Sequence, residues 1–385
     1  MYLTPSEELI LNGEYGYAMQ KAMEILVALG DIYNADRLIP IRSVQIAGVS
    51  YKTIGDAGLE WLSDLNGTVS VPSILNPAGI DRVRWREFGI SEEFAVKQEQ
   101  IISAYEKLGI RTWCTCTPYD VQDDLARSGD HLAWSESSAV SYANSVIGAR
   151  TNREGGPSAL AAALLGRTPN YGYHIDENRL PSIAINVEGE LCGTDYGALG
   201  YIAGGIIGSR IPIFSLESIP SSDERKALGA AMAASGAVAL YYVEGVPPYP
   251  DAYSVEERVT IEEHEITDVY RMRECDPDII ALGCPHCSVA ELIQLRDLLA
   301  GKTVTKEFWI CTSRVLRDQH PDLVAEIESS GAKVICDTCM VVSPVCERYN
   351  CMMVSSGKAL SYVPQMCGVD AVLGSALDCV RVAVR

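Results

Sequence analysis

The C-terminal third of the chain constrains the fold most, because short apolar runs alternate there with amphipathic segments. The apolar runs predict buried strands at residues 279–282, 308–310, 333–335 and 352–354. The amphipathic segments predict helices at residues 288–299 and 313–329. Strands that alternate with helices form a parallel sheet whose two faces are covered by the helices. We therefore predict an α/β fold.

Cysteines follow or end these predicted strands at Cys284, Cys311 and Cys336, and two of them begin Cys-x-x-Cys pairs with Cys287 and Cys339. The carboxyl ends of parallel strands meet at one edge of a sheet, so several thiols are expected to lie together there. Such thiols suit an iron–sulfur cluster, a structural zinc ion, a redox dithiol or ordinary burial in the core. Spacing alone leaves these four interpretations open.

The rest of the chain also predicts alternating elements. Thr4 to Glu7 form a capping box that begins a first helix, since Thr4 precedes Pro5 and Glu7 follows three positions later. Further helices are predicted at residues 14–29, 91–108 and 135–148, with a strand at 111–117. We place the domain boundary near residue 245, giving an N-terminal α/β region at 1–245 and a C-terminal α/β region at 246–385.

Composition excludes several classes of protein. The 385 residues include 31 basic and 51 acidic side chains, and a net charge of −20 argues against binding nucleic acid. The longest uncharged stretch, residues 227–243, is shorter than the ~20 apolar residues of a membrane span, so no membrane association is expected. The 13 cysteines are odd in number and follow no secretion signal, which predicts reduced thiols in a cytoplasmic protein.

Several short motifs resemble the aconitase X family, the divergent branch of the aconitase superfamily. They are spread over nearly the whole chain and are specific only as a set. These motifs are GVSYK at 48–52, VPSILNP at 71–77, TCTPY at 115–119, AWSESSA at 133–139, ANS at 143–145 with RTNR at 150–153, GCPH at 283–286, DTC at 337–339 and SGK at 356–358.

This resemblance implies a multi-domain, aconitase-like arrangement of layers and a cytoplasmic hydro-lyase with a 4Fe-4S or 3Fe-4S cluster. One type in the family is a long single chain that dehydrates cis-3-hydroxy-L-proline. The archaeal type is split into two subunits and converts (R)-mevalonate 5-phosphate to trans-anhydromevalonate 5-phosphate in a mevalonate pathway of isoprenoid biosynthesis. At 385 residues, this chain resembles the separate large subunit. We therefore expect a small-subunit partner in a heterodimer and a phosphorylated hydroxy-acid substrate.

Two alternatives remain at this point. The first is a cis-3-hydroxy-L-proline dehydratase on the same scaffold, and the second is a non-catalytic protein stabilised by zinc. A thiol–disulfide redox protein that uses one of the Cys-x-x-Cys pairs is a further possibility from another functional class.

The resemblance also suggests the residues of the site. It implies Cys116, Cys284 and Cys339 as metal ligands, with Cys287 and Cys336 as alternatives. Candidate catalytic residues are Glu136, Ser137, His286 and Lys358. Glu136 is also well placed to cap the helix that follows it. Candidate substrate-binding residues are Ser50, Lys52, Ser73, Asn76, Asn144, Arg150, Asn152, Arg153 and Ser356.

Two arginines in a glycine-bearing loop suggest how a phosphate is bound. Arg150 and Arg153 flank Asn152. Planar guanidinium groups are suited to bidentate hydrogen bonding with phosphate oxygens. We predict that the two arginines bind the phosphate together.

Overall fold

The computed structural model describes residues 1–250 and 253–385. Its strands are short and most of their residues are buried. In chain order they are β1 (Leu38–Pro40), β2 (Val44–Ile46), β3 (Ser73–Leu75), β4 (Arg111–Cys114), β5 (Ala133–Trp134), β6 (Arg167–Pro169), β7 (Ile183–Val187), β8 (Pro212–Ser215), β9 (Tyr242–Val243), β10 (Arg258–Ile261), β11 (Ile279–Leu282), β12 (Glu307–Thr312), β13 (Lys333–Cys336), β14 (Cys351–Val354) and β15 (Asp370–Leu373).

The helices lie between these strands, and several begin at capping side chains. In chain order they are α1 (Pro5–Leu11), α2 (Tyr17–Ile32), α3 (Tyr51–Ser63), α4 (Glu92–Lys107), α5 (Pro118–Val121), α6 (Ser137–Tyr142), α7 (Gly156–Leu165), α8 (Thr194–Ile207), α9 (Ser222–Ser235), α10 (Glu263–Val269), α11 (Val289–Leu299), α12 (Arg314–Gln319), α13 (Pro321–Ser329), α14 (Gly357–Cys367) and α15 (Ala376–Ala383).

Three parallel sheets organise the chain. The first sheet has the strand order β4-β3-β2-β5, the middle sheet β10-β7-β8-β9 and the third sheet β13-β12-β11-β14-β15. All strand pairs within these sheets are parallel, and β1 and β6 form a separate antiparallel pair. The predicted α/β fold with helix-covered parallel sheets is confirmed.

The middle sheet crosses the position at which the sequence suggested a domain boundary. Strand β10 pairs with β7 from Arg258 opposite Ala184 to Ile261 opposite Val187. A division at residue 245 would separate β10 from its only neighbour in that sheet. Strands β7, β8, β9 and β10 therefore belong to one sheet.

The third sheet follows the predicted alternation of strands and helices closely, but two of the predicted helices in the chain differ from the observed ones. The helix predicted at 313–329 is divided into α12 and α13 at Pro321, which has no N–H to continue the helical hydrogen bonds. The helix predicted at 135–148 ends as α6 at Tyr142 and continues as a wider π-helical turn to Ile147.

Not all of the cysteines are free thiols. Cys275 and Cys351 form a disulfide that joins the segment before β11 to the first residue of β14. This disulfide differs from the expectation that every thiol is reduced. Its two cysteines are 76 positions apart in sequence, and the fold brings them together. Among the residues described, no helix is both long enough and apolar enough to cross a bilayer.

An ion cluster joins the loops at the carboxyl ends of the first and third sheets. Arg314, at the start of α12, donates hydrogen bonds to Asp81 at 2.7 Å and to Asp337 at 2.6 Å. The backbone N–H of Cys336 donates to Asp81 at 3.0 Å, and the N–H of Ala78 donates to the Asp337 carbonyl at 2.7 Å. These contacts fix the loop after β3 against the loop after β13.

We expect Arg314→Met to destabilise the protein strongly. The side chains of Asp81 and Asp337 are 0% and 3% exposed, so the variant leaves two buried carboxylates without their cation. Breaking a buried pair in this way costs about 3–5 kcal/mol. The free energy of unfolding should be measured in urea at pH 7. Arg381→Met, which removes an exposed pair with Asp378, is the control and should change it by about 0.5 kcal/mol or less. Equal stability of the two variants would contradict the importance of the cluster.

Candidate active site

A cavity of about 260 Å³ lies between the first and third sheets. The first sheet supplies one residue from the end of each strand: Ala47 after β2, Asn76 after β3, Cys116 after β4 and Ser135 after β5. The carboxyl edge of a parallel sheet is the usual place for a ligand, because the loops that follow the strands meet there. The position of this cavity therefore makes it the candidate site.

The third sheet forms the opposite wall with Cys284 after β11, Cys339 after β13 and Lys358 in the first turn of α14. Cys284 follows Gly283, whose φ is +93°. A Cβ atom at position 283 would lie only 2.1 Å from the Cys311 carbonyl oxygen. Glycine is thus required for the chain to turn from β11 towards the cavity. The structure brings the three cysteines implied as metal ligands to one cavity.

The three thiols are buried in an environment that also contains a cation. Burial raises the pKa of Cys116 to about 12 and raises those of Cys284 and Cys339, while nearby Lys358 acts in the opposite direction on each. The His286 N–H donates to Cys116 Sγ at 3.1 Å, and the backbone groups of Val341 and Val342 act to lower the pKa of Cys339. Hydrogen bonds of this kind stabilise thiolates and tune sulfur-ligated iron.

The three thiols around the cavity have the chemistry to hold an iron–sulfur cluster. Among the described residues, no three His, Cys, Asp or Glu side chains are placed to share one metal ion. Three separate thiols around one cavity fit a polynuclear group, in which different irons take different cysteines. Cys116, Cys284 and Cys339 are therefore the residues that would hold it.

A buried ion pair crosses the cavity from one wall to the other. Lys358 on α14 pairs with Glu136, which caps the N-terminus of α6 by accepting from the Ala139 N–H at 2.8 Å. The hydroxyls of Ser137 and Ser138 also donate to Glu136. The capping role expected for Glu136 is present, and its carboxylate is fully engaged by protein donors.

The charges of this pair stabilise each other. Burial alone would raise the pKa of Glu136, but Lys358 and the donors on α6 outweigh it and lower that pKa. Burial would lower the pKa of Lys358, but Glu136 outweighs it and raises that pKa. Both groups are therefore held in their charged forms. A carboxylate stabilised in this way is a poor proton acceptor.

His286 connects the two walls rather than facing the cavity. Its Nδ1 lies 3.1 Å from the Thr115 hydroxyl and its Nε2 lies 3.0 Å from the Thr338 carbonyl oxygen. Because a carbonyl only accepts, Nε2 carries the proton and Nδ1 accepts from Thr115. Burial lowers the pKa of His286 to about 4, so the ring is neutral. The structure gives the histidine a positioning role in place of the predicted catalytic one.

At the mouth of the cavity, Arg153 is exposed and in reach of Tyr362. Its guanidinium donates to the Tyr362 hydroxyl at 3.4 Å, and that hydroxyl donates to Ser137 at 3.2 Å. Within the described part of the chain, Arg153 forms no ion pair with an acidic side chain. Its guanidinium is therefore available to an anionic ligand.

Arg150 does not join Arg153, contrary to the prediction that both bind one phosphate. The backbone of Arg150 forms an isolated β-bridge with that of His131. The Arg150 guanidinium pairs with Asp176 and donates to the His174 carbonyl at 3.2 Å. The two guanidinium groups therefore have different partners in different parts of the structure. Arg150 lies outside the cavity.

Asn144 and Asn152 also lie outside the cavity. The Asn144 amide donates to two carbonyls, those of Thr151 at 2.9 Å and Ala239 at 3.0 Å, and it accepts from the Thr151 N–H. The Asn152 amide is occupied by the backbone of Tyr171 and Tyr173. Both asparagines hold loops together, and neither lines the cavity.

Four further residues that the sequence suggested for substrate binding use their side chains in contacts within the protein. Lys52 pairs with Glu347 at 2.6 Å, and the other three are serines that donate to backbone carbonyls. The serine contacts are Ser50 to Val342 at 3.2 Å, Ser73 to Val71 at 2.9 Å and Ser356 to Cys284 at 2.5 Å. None of these four residues lines the cavity, so their predicted contact with substrate is not supported. Ser356 instead caps α14 and holds the Cys284 turn.

The second members of the Cys-x-x-Cys pairs are oriented away from this cavity. Cys287 lines a different cavity of about 650 Å³ on the other side of the Cys284 turn. Cys336 is buried at the end of β13, where its N–H donates to Asp81. Both remain free thiols, as do Cys284 and Cys339. The arrangement gives no preference to a redox dithiol at either pair.

Sequence reasoning missed two polar residues of the cavity, Ser135 and Tyr362. Ser135 lies in the AWSESSA motif beside the glutamate that was singled out. Tyr362 is four residues after Lys358 and therefore on the same face of α14. The helical spacing from Lys358 was the signal that could have identified Tyr362.

Comparison with known proteins places the chain among characterised relatives. Models of the aconitase X first, second and third domains match residues 1–177, 181–271 and 277–385. The phosphomevalonate dehydratase large subunit of Methanosarcina mazei is 61% identical over all of this chain and 97% of its own. That of Methanothermobacter thermautotrophicus is 51% identical over 99% of this chain and 98% of its own.

The crystal structure of holo-form aconitase X from Thermococcus kodakaraensis matches with a TM-score of 0.93 and 46% identity, covering all of both chains. The alternative considered from the sequence is more distant. The cis-3-hydroxy-L-proline dehydratase of Pseudomonas aeruginosa is 34% identical over 98% of this chain and 69% of its own.

We expect Lys358→Met to lose stability as the pH rises from 5 to 8. In the native protein the pKa of Glu136 is lowered by folding, so its contribution to the free energy of unfolding is constant at pH values above the unfolded-state pKa. This contribution is lost only as the pH falls through the folded-state pKa. Without Lys358, burial raises the pKa of Glu136, and ionisation then costs up to about 3–5 kcal/mol.

The measurement is urea unfolding of both proteins at pH 5 and pH 8. The double variant Glu136→Gln/Lys358→Met is the control, since it has no buried carboxylate at this position and should not share this pH dependence. An unchanged free energy of unfolding for Lys358→Met at both pH values would contradict the proposed coupling.

Proposed function

The chain belongs to the aconitase X family, and we propose that it is the large subunit of a phosphomevalonate dehydratase. The proposed reaction removes water from (R)-mevalonate 5-phosphate and gives trans-anhydromevalonate 5-phosphate. The observation that carries this proposal is the cavity between the two sheet edges, with three thiols, one buried cation and one exposed arginine. The near-complete match to relatives that bear this name supports the same substrate.

The name of those relatives also supports a partner. They are large subunits, which implies a small subunit, and we propose that this chain forms a heterodimer with one. The exposed Arg153 at the mouth of the cavity is in a position that a second chain can cover. Covering the mouth would exclude water and strengthen the electrostatic interactions inside.

We propose that Cys116, Cys284 and Cys339 hold an iron–sulfur cluster as thiolates. A bound cluster with an open iron position supplies a Lewis acid that polarises the hydroxyl and carboxylate of the substrate. Lys358 and the backbone donors to the sulfur atoms reduce the cost of three thiolates in a buried site. Because burial raises the thiol pKa values, assembly of the cluster must release protons.

The dehydration breaks a C–O bond at the hydroxyl-bearing carbon and a C–H bond next to the carboxylate. A C=C bond forms and water leaves. In our proposal, Arg153 binds the phosphate at the mouth, and Lys358 provides positive potential near the carboxylate. The Ser137 hydroxyl accepts a hydrogen bond from Tyr362 and donates one to Glu136. These contacts keep the cavity wall at the start of α6 rigid.

The proton acceptor is proposed to come from the partner chain. Glu136 is the only carboxylate among the cavity-lining residues that the structure describes, and its lowered pKa makes it a weak base. Glu136 is therefore a positioning residue for Lys358 and α6. A base from the small subunit would also make activity depend on both chains.

We expect Cys116→Ser, Cys284→Ser and Cys339→Ser each to lose most of the bound iron and sulfide after anaerobic reconstitution. Each change removes one thiolate from the cavity. Cys287→Ser and Cys379→Ser are matched controls, since both thiols are buried but neither lines this cavity. Iron and sulfide should be quantified per chain. A Cys339→Ser protein with the full amount of both would remove Cys339 from the ligand set.

We expect the chain, purified anaerobically with its small subunit, to dehydrate mevalonate 5-phosphate. Arg153→Met should raise KM for this substrate about 10- to 100-fold, because a hydrogen bond to a charged group is lost. Arg150→Met should leave KM within about twofold, since its guanidinium is paired with Asp176 outside the cavity. No product from the native two-chain enzyme with a bound cluster would contradict the substrate assignment. Equal effects of the two arginine variants would contradict the phosphate assignment.

A further inference from the structure

Two polar groups in the cavity have no hydrogen-bond partner among the residues that the structure describes. The Ser135 side chain is 5% exposed and its hydroxyl is unpartnered, as is the amide oxygen of Asn76. Both residues line the cavity. A buried polar group without a partner is unfavourable, so such groups are rare unless a ligand or water satisfies them.

Ser135 differs in this respect from the serines around it. The hydroxyls of Ser137 and Ser138 both donate to Glu136, and that of Ser43 donates to the Leu125 carbonyl. These contacts account for the neighbouring serines as parts of the scaffold. The Ser135 hydroxyl takes no part in that network and remains available to a molecule in the cavity.

The backbone holds Ser135 and Asn76 rigidly in place. The Ser135 N–H donates to the Gln45 carbonyl at 3.1 Å, and the Asn76 N–H donates to the Ile46 carbonyl at 2.9 Å. Each residue thus extends the hydrogen bonding of the first sheet by one position beyond its strand. Side chains fixed in this way lose little freedom when they bind a ligand.

The rest of the cavity indicates which end of a ligand these groups contact. Arg153 is exposed at the mouth, whereas Ser135 is buried in the same wall as Cys116, opposite Cys284 and Cys339. A phosphate held by Arg153 leaves the hydroxy-carboxylate end of the molecule to the interior. An uncharged donor and an uncharged acceptor match a carboxylate oxygen and a hydroxyl, respectively.

We infer that Ser135 and Asn76 bind the hydroxy-carboxylate end of the substrate, an inference that rests on the proposed function. The Ser135 hydroxyl donates to a carboxylate oxygen, and the Asn76 amide oxygen accepts from the hydroxyl that leaves. The substrate therefore lies with its phosphate outward at Arg153 and its reacting carbons inward near the thiols. Ser135 is a substrate-binding residue whose side chain takes no part in the hydrogen-bonded scaffold.

The test is Ser135→Ala in the two-chain enzyme, with Ser141→Ala as a matched control. The Ser141 hydroxyl is also buried and unpartnered, but it does not line the cavity. We expect Ser135→Ala to lower kcat/KM for mevalonate 5-phosphate about 10-fold or more, since a hydrogen bond to a charged group is lost. Its thermal midpoint and its iron content should equal those of the native enzyme, which a structural role would not allow. Ser141→Ala should retain native kcat/KM.

A second readout separates the two ends of the substrate. Equilibrium binding of mevalonate, which has no phosphate, should weaken in Ser135→Ala by the same factor as binding of mevalonate 5-phosphate. Arg153→Met should weaken binding of the phosphorylated compound only. A Ser135→Ala enzyme with kcat/KM and both affinities within about twofold of native would overturn the inference.

A different result would contradict the proposed function. If the native enzyme neither binds nor dehydrates mevalonate 5-phosphate, the substrate assignment is wrong. The Ser135 inference is then decided by binding of cis-3-hydroxy-L-proline, which also has a hydroxyl beside a carboxylate-bearing carbon. Weaker binding in Ser135→Ala than in Ser141→Ala would support it, and equal binding would reject it.

Discussion

The buried ion cluster of Arg314, Asp81 and Asp337 fixes the relation between the first and third sheets. It joins the loop after β3 to the loop after β13, so that the carboxyl edges of the two parallel sheets face each other. Two further connections act in parallel, from Thr115 through His286 to Thr338 and from Glu136 to Lys358. The cavity between the edges exists because these connections hold the two walls at a constant separation.

Hydrogen-bond satisfaction distinguishes the residues that build the walls from those that face the cavity. His286, Asn144 and Ser356 use their polar atoms on other parts of the protein. Ser135 is buried with no such partner, and Arg153 forms only one long contact with Tyr362. The free hydroxyl of Ser135 thus lies on the same wall as Cys116 and faces Cys284 and Cys339 on the opposite wall.

Much of the fold could be predicted from local sequence pattern. Alternating apolar and amphipathic runs predicted the third sheet, and the family resemblance implied the three cysteines that now line one cavity. Non-local pairing could not be predicted in the same way. The pairing of β10 with β7 across the supposed boundary at residue 245 depends on chain segments 74 residues apart, as Arg258 lies opposite Ala184. The directions of Arg150 and Arg153, and the free hydroxyl of Ser135, depend on partners that no sequence motif identifies.

Anomalous diffraction at the iron edge from anaerobically grown crystals of the two-chain enzyme tests the central claim most directly. We expect iron peaks inside the cavity, within bonding distance of the sulfur atoms of Cys116, Cys284 and Cys339, and no peak beside Cys287 or Cys336. That result would establish that the opposed sheet edges form the reaction centre. Iron bound at other cysteines, or a zinc signal in place of iron at these three, would contradict it.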